Sequence, residues 1–187
     1  MPVRAMLFMN PVLVPLVVEI LLLARTQGLG VAVERVARFV QDPLTIFTTF
    51  LLLCYSYGRH MVLVSPWVEN VILYLPPCVA QILSLQDPYL ELSQVLNRVA
   101  ARGRAVLVTR SSGGDHLEET SVGRRELLSR ITPRVELVYN ERIHTKCVEL
   151  DGYTLITTAN IVERELYKLR TGENTLTITR GVCAPTT

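Results

Sequence analysis

The sequence lacks a marked excess of charge of either sign. It has 187 residues, with 19 Lys and Arg against 17 Asp and Glu, a net charge of +2 and a pI near 8.4. A basic DNA-binding domain usually has a higher pI and clustered Lys and Arg. Charge alone therefore identifies no partner. Hydrophobic residues make up 49% of the chain, enough to bury a large core, which argues against disorder.

The sequence also lacks any Cys-x-x-Cys pair. Its four cysteines, Cys54, Cys78, Cys147 and Cys183, are widely spaced, so a zinc site has little support. We expect buried or reduced thiols, because free cysteine is among the most often buried residue types. Cys147 follows Lys146, but successive side chains of a strand point to opposite faces. We therefore interpret Cys147 as a core thiol.

No apolar run is free of interruptions. Residues 5–24 are strongly apolar, and about 20 such residues cross a bilayer. However, Asn10, Pro11, Pro15 and Glu19 interrupt the run, and a carboxylate in hydrocarbon is costly. No Ala-x-Ala-like cleavage site follows, which argues against a signal peptide. We expect a buried or dimer-interface helix in a cytoplasmic protein, with membrane association through this run as the alternative.

Two further helices follow this run. After a break at Gly28–Gly30, residues 31–40 have apolar positions at helical spacing. Asp42 and Pro43 then provide a cap and a first turn for an apolar helix over 44–57.

Three short helices in this order resemble a helix-turn-helix unit. The third helix has no Arg, Asn or Gln with which to read bases, so packing against the sheet is the favoured interpretation. We assign residues 1–43 to a helical extension and residues 44–187 to the main domain.

The rest of the chain alternates strands with helices. Strands are predicted from Met61, Arg104 and Val135, with helices over 89–102 and 124–131. This order predicts an α/β fold with a mixed, mostly parallel sheet flanked by helices. His116 lies in a flexible loop directly after a strand, where ligand contacts are common. It is a candidate substrate contact, with a solvated histidine as the favoured alternative.

The segment Ile143–Gly152 carries the most informative residues. His144 and Lys146 are two apart, so on a strand their side chains face the same way. Asp151-Gly152 is typical of a tight turn, and residues 153–157 are then the returning strand. A nucleophile, a cation and a carboxylate on one hairpin are suited to attack on a phosphodiester.

This hairpin resembles the motif of the phospholipase D superfamily, His-x-Lys, four residues, Asp, then Gly-Ser-x-Asn. The first half, from His144 to Asp151, matches completely. In the second half Asn160 matches, Thr157 and Thr158 replace the glycine and serine, and the intervening segment is one residue shorter than usual. These replacements add β-branched bulk where the family keeps its backbone close to phosphate.

The resemblance extends over residues 44–180. Glu173-Asn174 followed by a strand is similar to a segment of bacterial nucleases of this superfamily. Residues 61–67 look like the first strand of such domains, which often ends in Ser-Pro and an aromatic residue.

The resemblance implies metal-independent phosphodiester hydrolysis without a cofactor. His144 would attack phosphorus to form a phosphohistidine, and a second histidine would protonate the leaving alcohol. Lys146 and Asn160 would bind the phosphate oxygens, and Thr158 would add a hydroxyl contact. Glu173 would accept a proton from His144 and fix its tautomer.

Asp151 belongs to the implied catalytic motif, although we interpret it as an anchor for the turn. The chemistry needs two histidines and the chain has one His-x-Lys, so the resemblance implies a homodimer with a shared site. A small chain with one motif favours a DNA endonuclease. The alternatives are a phospholipase D-type lipid phosphodiesterase at a membrane and a catalytically inert DNA-binding or regulatory module.

Overall fold

The computed structural model describes residues 6–111 and 120–183 of the chain, so that the predicted contact His116 lies outside the described residues. The helices are α1 (Val14–Gln27), α2 (Leu29–Phe39), α3 (Pro43–Tyr57), α4 (Pro77–Ile82), α5 (Leu92–Arg102), α6 (Thr120–Arg130) and α7 (Glu163–Thr171). The strands are β1 (Leu7–Phe8), β2 (His60–Val64), β3 (Ile72–Tyr74), β4 (Tyr89–Glu91), β5 (Arg104–Thr109), β6 (Val135–Tyr139), β7 (Cys147–Leu150), β8 (Tyr153–Thr157) and β9 (Leu176–Arg180).

The apolar run at the start of the chain is not one helix. It forms β1, a short 3-10 helix (Pro11–Leu13) and then α1. The two prolines explain the division, because proline has no N–H to donate and is tolerated only in the first turn of a helix. Within residues 6–111 and 120–183, no helix has the length and apolar character needed to cross a membrane.

The larger sheet has the strand order β6-β5-β2-β7-β8-β9, which confirms an α/β fold with a mixed sheet flanked by helices. The prediction that it is mostly parallel needs correction. Only β2–β5 and β5–β6 are parallel, whereas β2–β7, β7–β8 and β8–β9 are antiparallel. The short turn at Asp151-Gly152 imposes antiparallel pairing on β7 and β8, because a parallel pair needs a long crossover.

A smaller sheet joins β1, β3 and β4, with β1 parallel to β3. The backbone around β1 is also held by α7. Tyr167 donates its hydroxyl to Met6 O, and the guanidinium of Arg170 donates to Phe8 O. Residues more than 160 positions apart in sequence are thereby joined.

The main hydrophobic cluster includes residues of α1, α2 and α3 together with residues of the sheet. Helix α3 begins as predicted, with Asp42 Oδ2 accepting from Thr45 N at 2.8 Å. Ten of its fifteen residues are buried, Phe47 and Phe50 among them. This burial favours a packing role for the third helix, because a DNA-reading helix needs an exposed face.

The second, smaller cluster lies on the larger sheet and contains a disulfide. Cys147 and Cys183 are joined, with Cα atoms 6.2 Å apart, so the expectation of reduced thiols is wrong for this pair. The C-terminal segment folds back along the β7–β8 hairpin and places the two sulfurs together. Gly181 N donates to Gly152 O at 2.9 Å, and Cys183 N donates to Glu149 Oε2 at 3.0 Å. Cys54 is free and buried, as expected for a core thiol.

Candidate functional site

Most of the motif residues lie along one edge of the larger sheet. Val64 at the end of β2 is paired with Val108 of β5 and with Cys147 at the start of β7, and Cys147 is paired with Ile156 near the end of β8. The segments that continue from these four positions therefore emerge together. We call this edge the site edge, and it comprises residues 65–67, 109–110, 143–146 and 157–160.

His144 and Lys146 are adjacent at the site edge. The strand predicted from residue 143 begins only at Cys147, so both side chains are carried by irregular backbone. Lys146 Nζ donates to His144 O at 3.0 Å. His144 is exposed and Lys146 is half-buried, so an anion from solvent can reach both.

Arg110 completes this cluster, and the sequence analysis did not identify it. Its Nη2 lies 3.3 Å from His144 Nδ1. Nε and Nη2 also donate to Ile143 O, at 3.2 and 2.8 Å, which fixes the plane of the guanidinium. Because a guanidinium can only donate, a hydrogen bond in this contact requires His144 Nδ1 to accept. Arg110 ends a parallel strand, a position where ligand contacts are frequent.

A buried cation lies behind Arg110. The side chain of Arg124 donates to Arg110 O, and only 5% of the residue is exposed. Its Nη1 atom is buried and has no hydrogen-bond partner among residues 6–111 and 120–183. Glu141 partly offsets this charge. Hydrogen bonds from Ser111 hold the pKa of the Glu141 carboxyl below its usual range, and the charges of Arg110 and Arg124 act in the same direction.

Asn160 is held by Glu165 rather than by the rest of the motif. Its Nδ2 donates to the two carboxylate oxygens of Glu165 at 2.8 and 2.9 Å, and its backbone N donates at 2.6 Å. The amide oxygen of Asn160 is buried and has no hydrogen-bond partner in the part of the chain that the structure describes. A buried acceptor of this kind is rare in proteins and is usually satisfied by a donor from water or a ligand.

Thr158 and Glu173 are occupied away from His144. Thr158 Oγ1 donates to Asn174 Oδ1 at 3.1 Å and accepts from Thr175 N at 2.9 Å. Glu173 accepts from Thr171 and lies 3.7 Å from Lys168 Nζ. The structure therefore does not bring Glu173 to the imidazole, and its orienting role stays a prediction.

Asp151 lies at the opposite edge of the sheet. Its two carboxylate oxygens accept from the backbone N–H groups of His60 and Arg59, at 2.9 and 3.1 Å. These bonds tie the β7–β8 turn to the start of β2. The position and the contacts are those of an anchor.

Trp67 borders the same site edge. Its ring centroid lies 5.7 Å from Arg110 Cζ. Val68 forms a β-bridge with Ile161, which places Trp67 beside Asn160 on neighbouring segments. Trp67 lies at the end of the predicted first strand, and no contact with Arg110 was predicted for it.

Residues 6–111 and 120–183 contain no group of three or more His, Cys, Asp and Glu side chains that could hold a metal ion. Two cationic hydrogen-bond donors, the guanidinium of Arg110 and the ammonium of Lys146, lie beside the imidazole of His144 at the site edge. Such a set is suited to an oxyanion.

No protein-family model matches this chain, and no curated protein matches it. Among solved structures, it is similar to the polyphosphate kinase of Porphyromonas gingivalis, with 13% sequence identity and a TM-score of 0.39. The similarity covers 64% of this chain and 19% of the kinase. The chain thus spans about a fifth of that protein, and a likeness at this level assigns neither a family nor an activity.

Proposed function

We propose that this chain hydrolyses phosphodiesters without a metal, through a phosphohistidine at His144, and that it acts on DNA as a homodimer. The observation that carries the proposal is the convergence of His144, Lys146 and Arg110 at one solvent-accessible edge. The three side chains can neutralise the nonbridging oxygens of a phosphodiester and present an imidazole to its phosphorus.

The reaction would proceed in two displacements. An imidazole nitrogen of His144 forms a bond to phosphorus while the bond to the leaving oxygen breaks, and a second histidine protonates that oxygen. Water then attacks the phosphohistidine, gives up its proton to the second histidine, and releases the first. The nitrogen of His144 that attacks must carry no proton, so if Nδ1 attacks, Arg110 has to move away from it.

The second histidine is the reason for proposing a homodimer. His60 belongs to the opposite edge of the sheet, where its Nε2 lies 3.7 Å from Glu149. A two-fold axis that brings two site edges together would supply a second His144 and a second Lys146. The exposure of His144 is compatible with such a contact.

A second candidate function is an inert binding module that has kept the shape of the site. The specific observation in its favour is that motif side chains bond to each other and to their own backbone. Asn160 donates to Glu165, Thr158 bonds to Asn174, and Lys146 donates to His144 O. Such a module would bind phosphate groups without cleaving them.

Hydrolysis of bis(p-nitrophenyl) phosphate and of heat-denatured plasmid DNA in excess EDTA tests the proposal. The wild-type chain should cleave both, and His144→Ala should lose at least about 10³-fold in rate. His60→Ala is the matched control, because it removes a histidine from the opposite edge, and it should retain the rate. If the folded wild-type dimer cleaves neither compound, the inert module is the better account.

A further inference from the structure

Trp67 is the single tryptophan of the chain, and it is not a core residue. It is half-buried and belongs to neither of the two hydrophobic clusters of the described residues. Tryptophan has a large apolar surface, and burying that surface stabilises a fold. A tryptophan outside the core therefore calls for another explanation.

The backbone around Trp67 is firmly held. Ser65 is fully buried, and its hydroxyl donates to Trp67 O and accepts from Ile161 N, the latter at 3.0 Å. The bridge between Val68 and Ile161 and the bond from Glu69 N to Ile161 O, at 2.9 Å, fix the next two residues. The indole is thus presented from a preorganised segment, which lowers the entropic cost of binding a ligand.

One guanidinium contacts both the indole and the histidine. Arg110 Cζ lies 5.7 Å from the Trp67 ring centroid, and Arg110 Nη2 lies 3.3 Å from His144 Nδ1. Within residues 6–111 and 120–183, Nη1 of Arg110 forms no hydrogen bond. Arg110 can therefore donate to an anion while it still contacts Trp67.

An aromatic ring beside a phosphate-binding cation matches the chemistry of a nucleotide. Proteins that bind single-stranded nucleic acid stack the exposed bases on aromatic side chains and follow the backbone with cations. A base inside a duplex is stacked on its neighbours, so its faces are not available to a side chain.

We propose that Trp67 and Arg110 form a subsite for an unpaired nucleobase and its phosphate, so that the substrate is single-stranded nucleic acid. This inference rests on the proposed function, because it places the phosphate of that nucleotide at His144. The base stacks on the indole, and the guanidinium of Arg110 donates to the phosphate that His144 attacks.

The test is the binding of a fluorescent oligodeoxythymidylate of about ten nucleotides, a length within the range of single-strand sites. All variants carry His144→Ala, so that cleavage does not alter the probe. Trp67→Ala should weaken binding about tenfold, since stacking contributes roughly 1 to 3 kcal/mol per base. Trp67→Phe should retain most of the affinity, and Arg110→Ala should weaken binding and reduce its salt dependence by about one phosphate contact.

The control variant is Phe39→Ala. Phe39 is an exposed aromatic residue of α2 under another arginine, with Arg35 Cζ 4.2 Å from its ring centroid, so it matches the chemistry of Trp67 at a distant place. The control ligand is an abasic oligomer of the same length. Phe39→Ala should bind as the parent does, and binding of the abasic oligomer should not depend on Trp67.

Three binding results would overturn the inference. One is unchanged affinity in Trp67→Ala, and another is an equal loss for the abasic oligomer, which would mean that the indole acts through the phosphates or the fold. A duplex bound as tightly as the single strand, with the same dependence on Trp67, would also contradict it. Binding that depends on Trp67 without cleavage by the wild-type chain would leave this inference standing and refute hydrolysis. Cleavage that is independent of Trp67 would support hydrolysis and refute this inference.

Discussion

The two ends of the β7–β8 hairpin are built differently. At the turn end, Asp151 accepts two backbone hydrogen bonds, and Gly152 O accepts one from Gly181 N. Asp151 and Gly152 have φ angles of 47° and 87°, a backbone suited to a tight hairpin turn. At the site end, Asn160 Oδ1 has no hydrogen-bond partner among the described residues, and His144 is exposed.

This difference separates stability from function within one hairpin. Polar groups at the turn end are satisfied by the protein itself, so they contribute to the free energy of folding. Polar groups at the site end include the buried Asn160 Oδ1, which has no partner among the described residues, and the exposed imidazole of His144. Substitutions at the turn end should therefore change the free energy of unfolding, whereas substitutions at the site end should change activity.

The largest expected change in stability comes from the disulfide, which lies in the buried core and joins the C-terminal segment to β7. Cys183→Ser should lower the free energy of unfolding by about 4 kcal/mol, the chain-entropy value for a closed loop of this length. Urea unfolding with and without a reductant measures it. Reduction should bring the wild type to the level of the variant. Cys78→Ser, at an exposed free cysteine, is the control, and an unaffected wild type under reductant would contradict the linkage.

Lys146→Met should lower activity without lowering stability, which is the behaviour expected of the site end. Loss of the ammonium removes charge stabilisation at the phosphate, so kcat for bis(p-nitrophenyl) phosphate should fall by about 10²- to 10³-fold. The free energy of unfolding should stay within about 0.5 kcal/mol of the wild type, because Lys146 is a surface cation. Lys168→Met, which removes the cation 3.7 Å from Glu173, is the matched control. A comparable fall in that variant would place the function outside the site edge.

Asp151→Ala, at the turn end, should lower stability with little effect on activity. Two hydrogen bonds to a carboxylate disappear, and alanine is less suited than aspartate to a positive φ, so we expect a loss of about 2 to 3 kcal/mol in unfolding free energy. The rate per folded molecule should change less than about twofold. The free energy of unfolding of Asp151→Asn should lie between those of Asp151→Ala and the wild type, because the amide oxygen still accepts one hydrogen bond. A large loss of kcat in a stable Asp151→Asn protein would show that the distinction between the two ends does not hold.

The smallest effect concerns Glu91, which lies outside the β7–β8 hairpin. Its protonation should change the free energy of unfolding without changing the site edge. Burial alone would raise the pKa of Glu91, but hydrogen bonds from Arg130, Asn70 and Ser93 outweigh it and lower the pKa below the ordinary value. The stabilisation is thus complete at neutral pH and is lost as the pH falls through the ordinary glutamate range towards the lowered pKa. Arg130→Met should cost about 2 kcal/mol at pH 7, and the difference from wild type should shrink in acid.

The measurement is urea unfolding of both proteins across the acidic range. Arg104→Met is the control, because the Arg104–Glu136 pair is exposed on both sides and should contribute little. A difference between Arg130→Met and wild type that stays constant with pH would contradict the role of Glu91.

Local signals in the sequence predicted the hairpin and the start of α3 well. Asp151-Gly152 has turn chemistry of its own, and the Asp42 cap with Pro43 needs no distant partner. The number of parallel strand pairs in the larger sheet was overestimated. Alternation of strands and helices predicts the parallel pairs, but it does not indicate that the β7–β8 hairpin joins the same sheet in antiparallel orientation. The smaller sheet could not be foreseen either, since β1 is two residues long and pairs with a strand more than 60 positions away.

The candidate site was predictable where the motif is contiguous and not where it depends on the fold. His144 and Lys146 were predicted to lie together and they do, although irregular backbone rather than the expected strand carries them. The contact of Arg110 with His144 joins residues 34 positions apart, and the Cys147–Cys183 bond depends on a segment that folds back. Glu165, only five positions from Asn160, was missed because the family pattern directed the assignment to Glu173.

Residues 6–8 can form their final contacts only after α7 has been synthesised, because Tyr167 and Arg170 of α7 donate to their backbone. At roughly 5 to 20 residues per second, a ribosome needs on the order of ten to thirty seconds to proceed from β1 to Arg170. During that interval the first apolar residues lack the partners that hold them in the finished protein. We expect the nascent chain to depend on chaperones over this window, and β1 to be among the last elements to acquire its final contacts.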